Sequence, residues 1–161
     1  MKLDKKGKLI INIFNYGKKH ITRDTIWHKL NYKLYTFLNA LVCIGIFNTE
    51  MKASKSISSE IYFFHPYGIV INSDSVIKDH VIIRQQVTIG NKGETNKGCP
   101  IIEENVEIGA GAKIIGKVRI GKNSKIGANA VVTKSFPANS ILVGVPAKNI
   151  SSNEQVKKSV K

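Results

Sequence analysis

Four histidines occur in this chain of 161 residues, and one of them, His65, lies among aromatic and aliphatic neighbours in FFHPYGIVIN, residues 63–72. Imidazole titrates near neutral pH, so it can take the proton from a hydroxyl as that oxygen attacks a carbon; such help is worth roughly 10²–10⁴ in rate. The structural alternative is a core histidine satisfied by main-chain groups. Two cysteines, Cys43 and Cys99, supply thiols. Neither shows the CxxC or Cys/His spacing of a structural zinc site, and only His65 and His80 fall in the later, patterned part of the chain, too few for a three-histidine metal centre. Cys43 lies in an apolar run that suits a buried free thiol, and no sequence neighbour of Cys99 argues for an activated thiolate. GAGAKIIG, residues 109–116, is not a GxGxxG fingerprint and opens no helical pattern, which argues against dinucleotide binding.

The elements that hold these residues can be read from composition and period. The length suits one domain, and 42% apolar residues can build a core. The formal charge of +14 predicts attraction to something anionic. Residues 1–33 carry nine Lys/Arg against two Asp, about half of the net excess. No nucleic-acid module accompanies that charge, so nucleic-acid binding is discounted. The start MKLDKKGKLIINIF has neither the apolar core nor the cleavage site of a signal peptide, and FLNALVCIGIF (37–47) is too short to span a bilayer. The absence of a disulfide framework makes a reducing cytoplasm the expected compartment.

From residue 102 onward the chain repeats every six residues: Ile102, Ile108, Ile114, Ile120, Ile126 and Val132. Small or β-branched residues precede most of them by two. The same step runs upstream through Ile71, Ile77, Ile83 and Ile89. Six matches neither the 3.6 of a helix nor a strand continued at 2.0; it matches a short strand and a corner, repeated. Three sides then close a triangular coil in which residues 18 apart stack, Ile71 on Ile89, Ile102 on Ile120, Ile108 on Ile126, around one aliphatic interior. Glycine and asparagine supply corners that need positive φ. The grid breaks once, at NKGETNKG (91–98), which predicts an extruded loop.

Before the coil, residues 24–47 read as helix, capped by Asp24 or Thr22, with Ile26, Leu30, Leu34, Phe37 and Leu41 as an apolar stripe. That stripe has two readings: packing on the coil end or a neighbouring subunit, or contact of a basic amphipathic segment with an anionic membrane surface. The chain thus divides into a basic helical segment (1–50), a coil (51–148) and a polar tail (149–161).

The segment VEIGAGAKIIGKVRIGKNSKIGANAVV resembles the hexapeptide-repeat acyltransferases. With HPYGIVIN, VTIGNKG and GVPAK it resembles their serine acetyltransferase branch, most of all the acetyltransferases of colanic acid and capsular polysaccharide. The resemblance implies a mainly β, left-handed parallel β-helix, a homotrimer, and acetyl-coenzyme A as co-substrate. It also implies direct attack by the acceptor hydroxyl, with His65 as general base and the loop 91–98 closing over the site. In that family an acid 15 residues upstream orients the histidine, which here is Glu50. Ala110, Lys125 and Ala128 match coenzyme A contacts, with Lys148 in GVPAK a second phosphate partner. The family's serine pocket carries an Asp before the histidine and an Arg-His pair before a Pro; this chain has Phe64 there, and Gly98 and Cys99 before Pro100. Unpaired charge is costly to bury, so these changes point to a neutral acceptor. The expectation is a sugar hydroxyl of a surface polysaccharide or its precursor, with Phe64, Tyr67 and Cys99 lining its site. The alternatives are a serine O-acetyltransferase and a non-catalytic scaffold.

Overall fold

The computed structural model describes residues 4–21, 24–93, 95 and 97–151. The basic helical segment expected over 1–50 opens with a first helix, α1 (Lys5–His20), whose bounds and cap the apolar pattern of 24–47 did not indicate. Asp4 caps it: the carboxylate Oδ1 accepts the Lys6 N–H at 3.0 Å, satisfying one of the amides a helix start leaves unpaired. Ile10, Ile13 and Phe14 form its buried face. At Gly7 a Cβ would come within 2.3 Å of the Phe63 carbonyl oxygen, so only glycine lets the start of α1 lie this close to the coil.

Helix α2 (Ile26–Leu38) begins after Thr25 with no side-chain cap, so Asp24 does not cap it; Thr22 lies outside the described residues. Eight π-helical residues, Asn39–Ile46, continue it. The extent agrees with the expected 24–47, and of the readings of the apolar stripe the structure sets aside packing on the coil of the same chain. Ile26, Leu30, Leu34, Phe37 and Leu41 are exposed, and Tyr35, Asn39 and Cys43 turn inward. The orientation is set by Tyr35, whose buried hydroxyl accepts the Ala53 N–H at 2.7 Å. Burial pushes the Cys43 thiol up to about 11.

Short strands stack along three sides of the coil. One side holds β1 (Glu50–Met51), β3 (Val70–Ile71), β6 (Thr88–Gly90), β9 (Lys113–Ile115) and β12 (Val131–Val132). A second holds β4 (Val76–Ile77), β7 (Ile101–Ile102) and β10 (Arg119–Ile120). The third holds β2 (Tyr62–Phe64), β5 (Ile82–Arg84), β8 (Glu107–Ile108), β11 (Lys125–Ile126), β13 (Ile141–Val143) and an antiparallel end strand, β14 (Lys148–Asn149). The remaining pairings among named strands are parallel. The expected stacks form: Ile71 pairs with Ile89, Ile102 with Ile120 and Ile108 with Ile126. These side chains are at most 3% exposed, and burying each is worth about 1.5–3 kcal/mol.

Two departures from the six-residue grid shape the surface. Ile77 pairs with Ile102, Ile83 with Ile108 and Ile89 with Ile114, each 25 apart rather than 18, because seven extra residues leave the coil at the 91–98 loop. The coil's first turn, inside the expected 51–148, lies off the grid that starts at Ile71, with Met51 under Ile71, Ile57 under Ile77 and Phe63 under Ile83, all 20 apart. The two additional residues lie between Phe63 and Ile71, at the corner that contains His65. Several other corners carry asparagines at positive φ, and His80 and Gln86 adopt the same conformation; Asn105 donates its side-chain amide to Asn123, and Asn123 to Asn139, each at 3.3 Å. Of the expected polar tail (149–161), Asn149 joins Lys148 in β14 and residues 152–161 lie outside the described residues.

Candidate active site

His65 follows β2 directly, at a corner widened by two residues. Its φ is +51°, a left-handed conformation in which the chain turns away and leaves the imidazole outside the coil. Its side chain is 70% exposed, which sets aside the core-histidine alternative. It borders a hollow of about 460 Å³ with Ile46, Phe47, Asn48, Tyr67, Gly68, Gln85 and Gln86.

The carboxylate that meets His65 is Asp4. Its Oδ2 accepts the His65 main-chain N–H at 2.8 Å and lies 4.0 Å from His65 Nδ1. Burial raises the Asp4 pKa, but the His65 and Lys6 N–H donors, with the nearby charges of His65 and Lys6, outweigh it and hold this carboxyl below its ordinary value. One side chain therefore caps α1 and fixes the corner that carries His65. The first turn of α1 adds Lys6, whose Nζ donates to the Tyr67 hydroxyl at 2.8 Å. That bond, then the charge interaction with Tyr67, raise the ammonium's pKa; desolvation opposes them, and Asp4 adds to the rise. Asp4 and Lys6 were missed in sequence because the bounds and cap of α1 were missed. The legible signal was Asp4 ahead of Ile10, Ile13 and Phe14 at helical steps.

Glu50 stands elsewhere in the chain. It opens β1, pairs in register with Val70 and points outward from that side of the coil, so no hydrogen bond or ion pair joins it to His65. It lines a separate hollow with Lys52, Asn72, Thr88 and Asn91, among others. The expected pair fails within the chain because an outward position on a strand and a corner preceding the next strand face different ways.

Phe64 ends β2 and is half-buried, with the Arg84 guanidinium 5.7 Å from its ring centroid. Tyr67 is partly exposed, 5.5 Å from the Phe47 ring. Both therefore belong to the His65 corner. Cys99 does not: it closes the extruded loop at the other end of β6, where burial, then the Asp74 carboxylate, push its thiol above the ordinary value and a hydrogen bond with Ser75 opposes them. A thiol held protonated is a poor nucleophile.

The coenzyme-contact candidates divide likewise. Main-chain bonds tie the successive turns of the His65 corner: Gln86 N–H to Tyr67 O at 2.8 Å, Gly111 N–H to Gln85 O at 2.9 Å, and Asn129 N–H to Ala110 O at 2.8 Å. Ala110 and Ala128 thus lie on the same coil edge as His65, with side chains small enough for a ligand to approach the backbone. Lys125 is exposed on the adjoining side, 3.8 Å from Glu107, and Lys148 is exposed on β14 at the end of that side. Small residues on the His65 edge, with two exposed lysines on the adjoining side, are compatible with an extended, phosphate-bearing thioester.

Residues 99–134 match the family Bacterial transferase hexapeptide (six repeats). The chain is 39% identical over 127 residues to a serine acetyltransferase of Buchnera aphidicola subsp. Schizaphis graminum, covering 78% of this chain and 48% of that protein. It is 42% identical over 125 residues to a serine acetyltransferase of Staphylococcus aureus strain Mu50, covering 75% and 59%. The crystal structure of serine acetyltransferase from Brucella abortus strain S19 aligns with a TM-score of 0.76 at 32% identity, over 91% of this chain and 57% of that one. Its complex with coenzyme A aligns at 0.75 and 32% identity, over 91% and 56%. These relatives are named serine acetyltransferases, and the finer likeness to polysaccharide acetyltransferases has no support from them. The chain spans about half the length of the curated relatives it matches, and over that half it is similar to serine acetyltransferases in both sequence and fold.

Proposed function

We propose that this left-handed β-helical chain is an acetyl-coenzyme A-dependent O-acetyltransferase, with His65 as the general base and serine as the favoured acceptor. The observation that carries the reading is an exposed imidazole on a solvent-open hollow, with a carboxylate 4.0 Å from its Nδ1. In its neutral form the ring takes the acceptor's hydroxyl proton while that oxygen bonds to the thioester carbonyl carbon. Asp4 supports the positive charge that the ring then carries. Collapse breaks the carbon–sulfur bond, and the leaving sulfur receives the proton from His65. No acyl-enzyme is needed, in keeping with the raised pKa of Cys99.

The case for serine rests on the relatives' names and on α1. The charges missing at Phe64, Gly98 and Cys99 suggested a neutral pocket, yet Asp4 and Lys6 bring one charge of each sign to the His65 corner, complementary to a zwitterion. A neutral sugar hydroxyl is the second reading, favoured by the Phe64 and Tyr67 ring faces. Ala110, Ala128, Lys125 and Lys148 would hold the coenzyme, and Glu50 would serve from the neighbouring hollow. The active assembly in this reading is a homotrimer, which light scattering would detect as three chain masses.

The test is thiol release from acetyl-coenzyme A by the wild type and by His65→Asn, with serine and a de-O-acetylated polysaccharide offered separately. Serine-dependent release, lost in the variant, is expected. Release with the polysaccharide alone would transfer the function to the second reading. No release with either, and no calorimetric binding of coenzyme A, would overturn both.

A further inference from the structure

The face of α2 and its π-helical continuation that turns away from the coil is an uninterrupted apolar ridge. Trp27, Leu30, Leu34, Phe37, Leu41 and Ile46 lie along it, between 48% and 65% exposed. The ridge cannot roll inward, because Tyr35 on the opposite face is buried and bonded to the Ala53 main chain. Single exposed apolar side chains are ordinary, but a contiguous run of this length marks a surface that meets something.

We propose that this face lies on the surface of a bilayer containing anionic lipid. Charge selects that occupant. Lys29 and Lys33 are exposed along one flank of the ridge, and no Asp or Glu occurs between Thr25 and Thr49. Aromatic and leucine side chains on one face with lysines beside them are the pattern of a helix lying in the interface plane. Among the described residues no helix is long and apolar enough to cross a membrane, so the ridge rests on the surface rather than spanning it. A second copy of the chain meeting this face with the same face is a poorer match, since that face would bring no carboxylate to Lys29 and Lys33. The ridge ends at Ile46, which also lines the His65 hollow, so docking would hold that hollow beside the lipid surface. The docking stands independently of acetyl transfer.

Trp27 is the only tryptophan, so intrinsic fluorescence reports this face directly. The full chain would be mixed with vesicles of phosphatidylcholine alone and of phosphatidylcholine with phosphatidylglycerol, and followed by emission and co-sedimentation. The expected result is a blue shift and sedimentation with the anionic vesicles. Binding should weaken about tenfold in Lys29→Glu/Lys33→Glu and fall with salt. Leu30→Ser/Phe37→Ser, with unchanged circular dichroism, should abolish it. Equal binding to neutral vesicles, or none to either, would overturn the proposal. So would an already blue-shifted Trp27 without lipid, in a chain whose mass in solution drops with Phe37→Ser, since a second copy would then cover the face.

Discussion

Asp4 Oδ2 accepts the His65 main-chain N–H at 2.8 Å and stands 4.0 Å from His65 Nδ1, across 61 residues of sequence. A helix cap and a candidate base are thereby one unit. Asp4→Asn should lower kcat about tenfold or more with a smaller change in KM, since the imidazolium loses its counter-charge while the hollow keeps its shape. Glu50→Gln, from a separate hollow, should change kcat less. Steady-state kinetics of the two variants together decide which carboxylate serves His65; the reverse order would mean that assembly or substrate binding brings Glu50 to it.

The same bond predicts a pH dependence of stability. The Asp4 pKa is held below the ordinary carboxylate value in the folded chain. Its stabilisation is therefore fully present above the ordinary value and is lost as pH falls through the folded one, below about pH 4. Asparagine caps a helix about as well as aspartate, so Asp4→Asn removes the charge and keeps the cap. Denaturant midpoints of wild type and Asp4→Asn should differ at pH 7 and converge in acid.

His65 also requires a particular substitution. At φ +51° an alanine adds backbone strain to the loss of the imidazole, whereas asparagine tolerates the left-handed region. His65→Asn should keep its thermal midpoint close to that of wild type and lose about 10²–10⁴ in kcat. Calorimetry alongside the thiol assay separates the two effects.

Cys99 should behave as a structural thiol. Its raised pKa predicts slow alkylation at neutral pH, with a rate that climbs at pH values above those of an ordinary thiol. Cys99→Ser should retain most activity. Rapid labelling at pH 7 with loss of turnover would show that the assembled site activates it.

Close stacking of the coil corners makes Gly121 sensitive. A Cβ there would fall 2.2 Å from the Ala138 nitrogen, a main-chain atom with little room to move. Gly121→Ala should cost about 1–3 kcal/mol from overpacking, read as a lowered denaturant midpoint with an unchanged m-value.

The sequence by itself determined the coil. The six-residue recurrence of Ile71 to Val132 is a local pattern, and because three sides must close around one interior, it also dictates which residues stack 18 apart. It marked His65 too, as a lone imidazole in an apolar segment. Only the tertiary structure decided what surrounds that imidazole. The stacking of the coil's first turn escaped the grid because eight residues, not six, separate Phe63 from Ile71, and the irregular corner is the one that exposes His65. Asp4 and Lys6 reach it because Gly7 lets α1 pack against Phe63, a contact between segments with no shared period. The facing of α2 was likewise undecidable from its stripe. Hydrophobic periodicity says that one face differs from the other, but the hydrogen bond of Tyr35 to Ala53, formed only in the folded chain, determined which face turned inward.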